Sequence, residues 1–221
     1  MKELFARGLR GVIFDCDGVM IDSTDANRAF YNLILAHYGL PPMTPDQEEY
    51  SFMASSAQAL ERLLPEHLHA EIPRIGRDVV NYRREIMPLV KIFPGFLDFA
   101  AFLHNHGIRM AVLTNRTAGG MKAVLDFFSL PPYFDPVVTA SSGFCKPSPK
   151  GAQLILEAWG CQPAEALLVG DSEADLAAAR AAGIPFAASP AAPAGLGGDI
   201  RMSSYADLRR DLEPVLDRTP L

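Results

Sequence analysis

No apolar run in this chain approaches the roughly 20 residues that a membrane-spanning helix needs, so no membrane span is expected. Cysteine is scarce. Cys16, Cys145 and Cys161 are odd in number and share no metal-ligand spacing. That pattern argues against a disulfide framework or a thiolate metal site and points to reduced thiols in a cytoplasmic protein. An excess of basic charge is also missing. The formal net charge is -6, which disfavours nucleic acid or an anionic membrane as the main partner. The opening residues, MKELFARGLR, carry scattered charges and no long apolar region, so no secretory signal is expected there. No internal repeat is visible. What is present is an ordinary globular balance, 49% hydrophobic and 21% charged over 221 residues. That suits one large domain, or one domain carrying a smaller inserted one.

Short apolar runs alternate with helical patterns. GVIF followed by Asp15 (11–15), IRMAVLTN (108–115), EALLVGD (165–171) and IPFAAS (184–189) read as buried strands. YFDPVVTA (133–140) reads as a further, shorter strand, and DIRM (199–202) as a last edge strand. Helices are predicted at 95–106, 117–129, 148–160, 173–182 and 205–217. Strands separated by helices of this length imply an α/β fold, a parallel sheet with helices on both faces. Residues 23–89 break the rhythm and hold no convincing strand. The segment from Ser23 to Gly39 opens on a Ser/Thr/Asp capping cluster, and 55–64 and 73–87 also look helical. The expected organisation is a catalytic core of residues 1–22 and 90–221 with a helical insert at 23–89. SPAAPAGLGGD (189–199) reads as a small-residue loop.

Three of these strands end in polar residues. The first ends at Asp15 and Asp17, the second at Thr114 and Asn115, the third at Asp171. In a parallel sheet the carboxyl ends of the strands share one edge, where ligands bind. These residues should therefore converge, and Lys146, which precedes a helix, can reach the same edge. Carboxylates at 15, 17, 171 and 175 would repel one another unless a cation sat among them. Oxygen ligands of this kind suit Mg²⁺. Thr114, Asn115 and Lys146 supply hydrogen-bond donors and a positive charge, so the set describes a phosphoryl-binding site. Each cluster alone also fits a blander role: a solvated turn, a helix cap, or acids placed at a helix N-terminus. Order and placement together favour the functional reading. His67, His69, His104 and His106 fit solvated or helix-closing positions better than a metal pair.

Those clusters, in that order, resemble the motifs of the haloacid dehalogenase-like superfamily of phosphohydrolases. FDCDGVMIDS resembles the first motif, LTN the second, KPSP the third and VGDSEADLAAARAAGIP the fourth. The insert resembles the cap domain of the phosphoglycolate phosphatase and β-phosphoglucomutase branch. The resemblance implies a three-layer, Rossmann-like core with an all-helical cap. It implies that Asp15 attacks phosphorus to form an aspartyl-phosphate, and that Asp17 acts as acid, then base. Mg²⁺ would be held by the Asp15 carboxylate, the Asp17 backbone carbonyl and the Asp171 side chain, with Asp175 acting behind them or through water. Thr114, the Asn115 backbone and Lys146 would grip the phosphoryl oxygens. The implied substrate is a small phosphorylated metabolite. Asp17 separates phosphate-ester chemistry from the dehalogenases, which lack an acid at that place. A sugar phosphomutase is the alternative. Asn27 stands where that branch commonly carries a histidine, which counts against it. Phe52, Met53 and the serines at 55 and 56 lie where related caps carry a specificity loop, although cap packing and a helix cap fit them as well.

Overall fold

The computed structural model describes residues 1, 3–54 and 56–216. The chain forms two compact units, Met1–Ile21 together with the segment from Ile92 onward, and Asp22–Lys91. In chain order the strands are β1 (Gly11–Phe14), β2 (Ile21–Asp22), β3 (Lys91–Ile92), β4 (Arg109–Leu113), β5 (Phe134–Val138), β6 (Ala166–Gly170), β7 (Phe186–Ala188) and β8 (Ile200–Arg201). The helices are α1 (Thr24–His37), α2 (Pro45–Met53), α3 (Ser56–Leu63), α4 (Ile72–Asp78), α5 (Phe96–Asn105), α6 (Ala118–Phe127), α7 (Lys150–Trp159), α8 (Glu173–Ala182) and α9 (Tyr205–Leu216).

The larger unit is built on a six-stranded sheet in the order β5-β4-β1-β6-β7-β8. Every pairing in it is parallel. All four β1 residues are buried, which explains why this strand reads as an unbroken apolar run. Side chains of period two split its contacts between the faces. Ile13 belongs to the core cluster with Ile155, Leu156 and Trp159 of α7 and Leu176 and Ala179 of α8. Phe14 points the other way, edge-on to Phe96 and Phe99 of α5 at 5.4 and 6.2 Å between ring centroids. Tyr205 of α9 completes that second layer against Phe96 and Phe99. The result is a three-layer α/β core, as expected. From β1 the chain passes to β4 and β5 on one side, and later to β6, β7 and β8 on the other. Strand order therefore reverses at β1, the position that opens a crevice at the carboxyl edge.

The smaller unit is helical, with no strand between residues 23 and 89 among the described residues. Within it, the Asn27 amide donates to the Ser51 carbonyl (3.4 Å) and accepts from the Ser51 hydroxyl (3.2 Å).

Several local expectations differ from what forms. Helix α2 arises where none was predicted. Thr44 and Gln47 make a reciprocal capping box ahead of it, with Pro45 in the first turn. The predicted helix at 73–87 is interrupted after α4. The Asn81 side chain accepts from the Arg84 N–H (3.2 Å), and Glu85 accepts from the Asn81 N–H (2.7 Å). This restarts the chain as a wide turn, Tyr82–Ile86. Ser23 makes no side-chain cap bond to α1; instead Asp22 accepts from the Thr24 N–H at 3.0 Å. Strand β5 has five residues, as many as β4 and β6, rather than fewer. Residue 55, and residue 217 at the end of the last predicted helix, lie outside the described residues.

The C-terminal helix reaches the loop after β1. The Tyr205 hydroxyl donates to the Val19 carbonyl at 2.9 Å, in a buried position. Tyr205→Phe keeps the ring packing and strands that carbonyl. The expected loss is about 1–3 kcal/mol of stability, read as a lower midpoint in chemical denaturation. An unchanged midpoint would show that the carbonyl finds another partner.

Candidate active site

Each strand that borders the reversal contributes one part of the site. The Asp15 N–H continues the sheet by donating to the Val169 carbonyl of β6 (3.0 Å), so its side chain leaves from a fixed backbone. The chain then turns. Cys16 accepts from both Met20 and Ile21 N–H groups, and Gly18 donates to Ile21. Gly18 has a φ of +66°, and a Cβ there would collide with the Asp171 carboxylate. Only glycine meets both demands. On the neighbouring strand, the Thr114 N–H donates to Val138 of β5 (3.0 Å). The Asn115 side chain clamps the backbone of Lys146, accepting from its N–H (2.8 Å) and donating to its carbonyl (3.1 Å).

That clamp places a lysine ammonium among carboxylates. Lys146 is 7% exposed and Asp175 is fully buried. The Lys146 Nζ lies 2.5 Å from Asp15 and 2.6 Å from Asp175. Asp175 is itself held at the start of α8, where it accepts from the Ser172 hydroxyl (2.5 Å) and from the Ser172 and Asp171 N–H groups (3.1 and 3.3 Å). A carboxylate at a helix N-terminus is favoured there. Burial alone would pull the lysine down, but Asp15 and Asp175 outweigh it and hold the ammonium charged well above its ordinary range.

Oxygens of Asp15, Asp171 and Asp175 all lie within 4.8 Å of one another. Three carboxylates face one ammonium. Burial, followed by repulsion from Asp175, pushes Asp171 up to about 7. Burial also raises Asp15 well above the usual carboxylate range, against the pull of Lys146. An all-oxygen donor set with uncompensated negative charge fits a hard divalent cation.

The structure thus brings Asp15, Asp171, Asp175 and Lys146 together, with Thr114 and Asn115 beside them. The Asp17 side chain goes elsewhere. It is not in the carboxylate group; both its oxygens are taken by Arg116, at 2.6 Å from Nε and 2.6 Å from Nη2. Any contribution of Asp17 to a metal therefore rests on its backbone carbonyl. Sequence reasoning missed Arg116. The available signal was a basic residue immediately after the polar end of β4. Ser189 was also missed; its buried hydroxyl donates to the Gly18 carbonyl at 2.8 Å and braces the turn.

The raised Asp171 carries a stability consequence. Between the ordinary aspartate value near 4 and about 7, the folded state holds a proton that the unfolded state has released. Metal-free stability therefore falls as pH rises through that window, by roughly 4 kcal/mol at most for this group. Asp171→Asn removes the penalty. In chelator, the variant should melt above wild type at pH 8, and the gap should close as pH falls to about 4. Equal melting at pH 8 would show that Asp171 is not strained in the metal-free fold.

Comparisons with known proteins agree with this geometry. Residues 12–189 match the family model described as haloacid dehalogenase-like hydrolase. A phosphoglycolate phosphatase of Aquifex aeolicus is 30% identical over 79% of this chain and 82% of its own length. One from Cereibacter sphaeroides is 33% identical over 80% and 83%. Among solved structures, a subfamily IA hydrolase of the same superfamily from Geobacter sulfurreducens is 36% identical. It covers 93% of this chain and 97% of its own, with a TM-score of 0.78. No helix among the described residues is long and apolar enough to cross a membrane.

Proposed function

The chain belongs to the haloacid dehalogenase-like hydrolases and is a phosphatase of that family, and we propose that it hydrolyses a small phosphorylated metabolite through an aspartyl-phosphate on Asp15, with Mg²⁺ as cofactor. The observation that carries this reading is the division of labour between two aspartates. Asp15 lies against Lys146 and within the carboxylate group, whereas Asp17 stands outside it.

In the first step an Asp15 oxygen attacks phosphorus, and the bond to the leaving alcohol oxygen breaks. Asp17 gives that oxygen its proton. In the second step water attacks the aspartyl-phosphate, Asp17 takes the water's proton, and Asp15 is regenerated as inorganic phosphate leaves. The Lys146 ammonium, the Thr114 hydroxyl and the Asn115 N–H would neutralise the phosphoryl oxygens. Side chains of Asp15 and Asp171 and the Asp17 carbonyl would hold Mg²⁺, with Asp175 fixing Lys146 behind them. When bound, Mg²⁺ supplies positive charge that screens the attacking carboxylate from the phosphate.

The insert at 23–89 is assigned as the cap that selects the substrate, and its relatives' names make 2-phosphoglycolate the first ester to test. The three thiols are free, which fits a reducing, cytoplasmic setting. A phosphomutase is not favoured. Asn27 replaces the expected histidine, and its amide is engaged by Ser51.

A panel of phosphate esters, assayed with Mg²⁺ and after exhaustive chelation, tests the reading. Hydrolysis should vanish on chelation and return with Mg²⁺; activity that survives chelation would rule out the metal assignment.

Asp17→Asn separates the two steps. An aryl phosphate needs little proton help to leave, but its aspartyl-phosphate still needs a base. General acid–base help is worth roughly 10²–10⁴-fold, so the variant should accumulate a phosphoryl group on Asp15, visible by intact mass after an acid quench. Asp15→Asn should show no adduct. An adduct on another residue would overturn the assigned roles.

A further inference from the structure

We propose that Arg116 is a positioning residue for Asp17: its guanidinium favours the ionised carboxylate and holds it in the orientation in which it takes the proton of the attacking water. The inference rests on the acid–base reading of Asp17 given above. Its basis is the geometry of the pair. Nε and Nη2 of one guanidinium each meet a different oxygen of one carboxylate at 2.6 Å. Such a fork fixes the plane of the carboxylate as well as its place, which a point charge cannot do.

The base of the fork is equally fixed. The Arg116 N–H donates to the Thr114 hydroxyl (3.1 Å), and the Arg116 carbonyl accepts from Ala140 (2.9 Å). Arg116 is therefore tied to the end of β4 through its N–H and to the turn after β5 through its carbonyl.

Asp17 needs such a guide. It sits two residues from Asp15, near enough for its charge to repel that of Asp171, and its side chain is 32% exposed. The pair is half-buried, with Arg116 16% and Asp17 32% exposed, and its bidentate form adds to stability as well. Orientation is what a bidentate contact adds at such a place. Substrate binding by Arg116 is the competing role, and it makes a different prediction. A substrate contact acts independently of Asp17, whereas a positioning contact acts only through it.

A double-mutant cycle on the Mg²⁺-loaded enzyme decides between them. Arg116→Gln should lower kcat on an alkyl phosphate by about tenfold or more, within the range of acid–base catalysis. KM should change by less than about twofold, and the rate should be lost at temperatures where the variant's melting curve shows it still folded. Arg116→Lys, which keeps the charge and loses the fork, should recover part of the rate. In the Asp17→Asn background, adding Arg116→Gln should change nothing further. Additive losses, or a loss confined to KM, would overturn the proposal and make Arg116 a substrate contact. Full activity of Asp17→Asn alone would instead remove the acid–base reading on which it stands.

Discussion

The ammonium of Lys146 carries its charge in a position almost closed to solvent, and desolvation there costs several kcal/mol unless it is repaid locally. Asp15 and Asp175 repay it at 2.5 and 2.6 Å. Those two partners come from the end of β1 and the start of α8, and the lysine itself is clamped by Asn115 at the end of β4. One charge thus registers three separate pieces of the sheet edge. Separating these elements would leave a buried carboxylate or a buried ammonium uncompensated. This constraint also explains why Asp175 can be fully buried: it is the only carboxylate of the group with both a cation and a helix N-terminus to hold it.

The same edge is overloaded with negative charge. A single ammonium cannot neutralise three carboxylates whose oxygens lie within 4.8 Å, and Asp171 shows the strain by rising to about 7. A fold selected only for stability would relax this crowding. Strain held at one place by a well-packed scaffold is what functional sites display. The scaffold is strong enough here because the residues that impose the crowding are set by the sheet. Gly18 brings its backbone against the Asp171 carboxylate, and Ser189 braces that turn through the Gly18 carbonyl.

The core was legible because buried parallel strands are continuous apolar runs and the helices between them have long, regular faces. The convergence of Asp15, Thr114 and Asp171 followed from strand direction, and that of Lys146 from its place in a loop ahead of a helix. What escaped was decided by side chains competing with the backbone, or by distance along the chain. Asn81 and Glu85 offer local partners to N–H groups, and these cut a stretch whose apolar spacing reads as one helix. The Thr44 and Gln47 box was visible in principle, but the polar residues between them give α2 little apolar face. Arg116 was placed at the edge by the sequence, yet its aim at a residue 99 positions earlier is a property of the fold.

Asp15 and Asp17 stand one residue apart, and in an extended strand they would share a face and repel. The chain prevents this by ending the strand between them. Asp15 keeps its ladder bond to Val169, and the turn from Cys16 to Ile21 swings the next carboxylate out of register. Each aspartate then meets its own cation, Lys146 in the buried interior and Arg116 in a half-buried position. The pairings differ in kind. A compact ammonium beside Asp15 leaves the geometry around it open, whereas a planar guanidinium beside Asp17 dictates an orientation. Two chemically identical side chains are thereby given different surroundings by a turn of a few residues, and the proposed roles of nucleophile and proton handler rest on that separation.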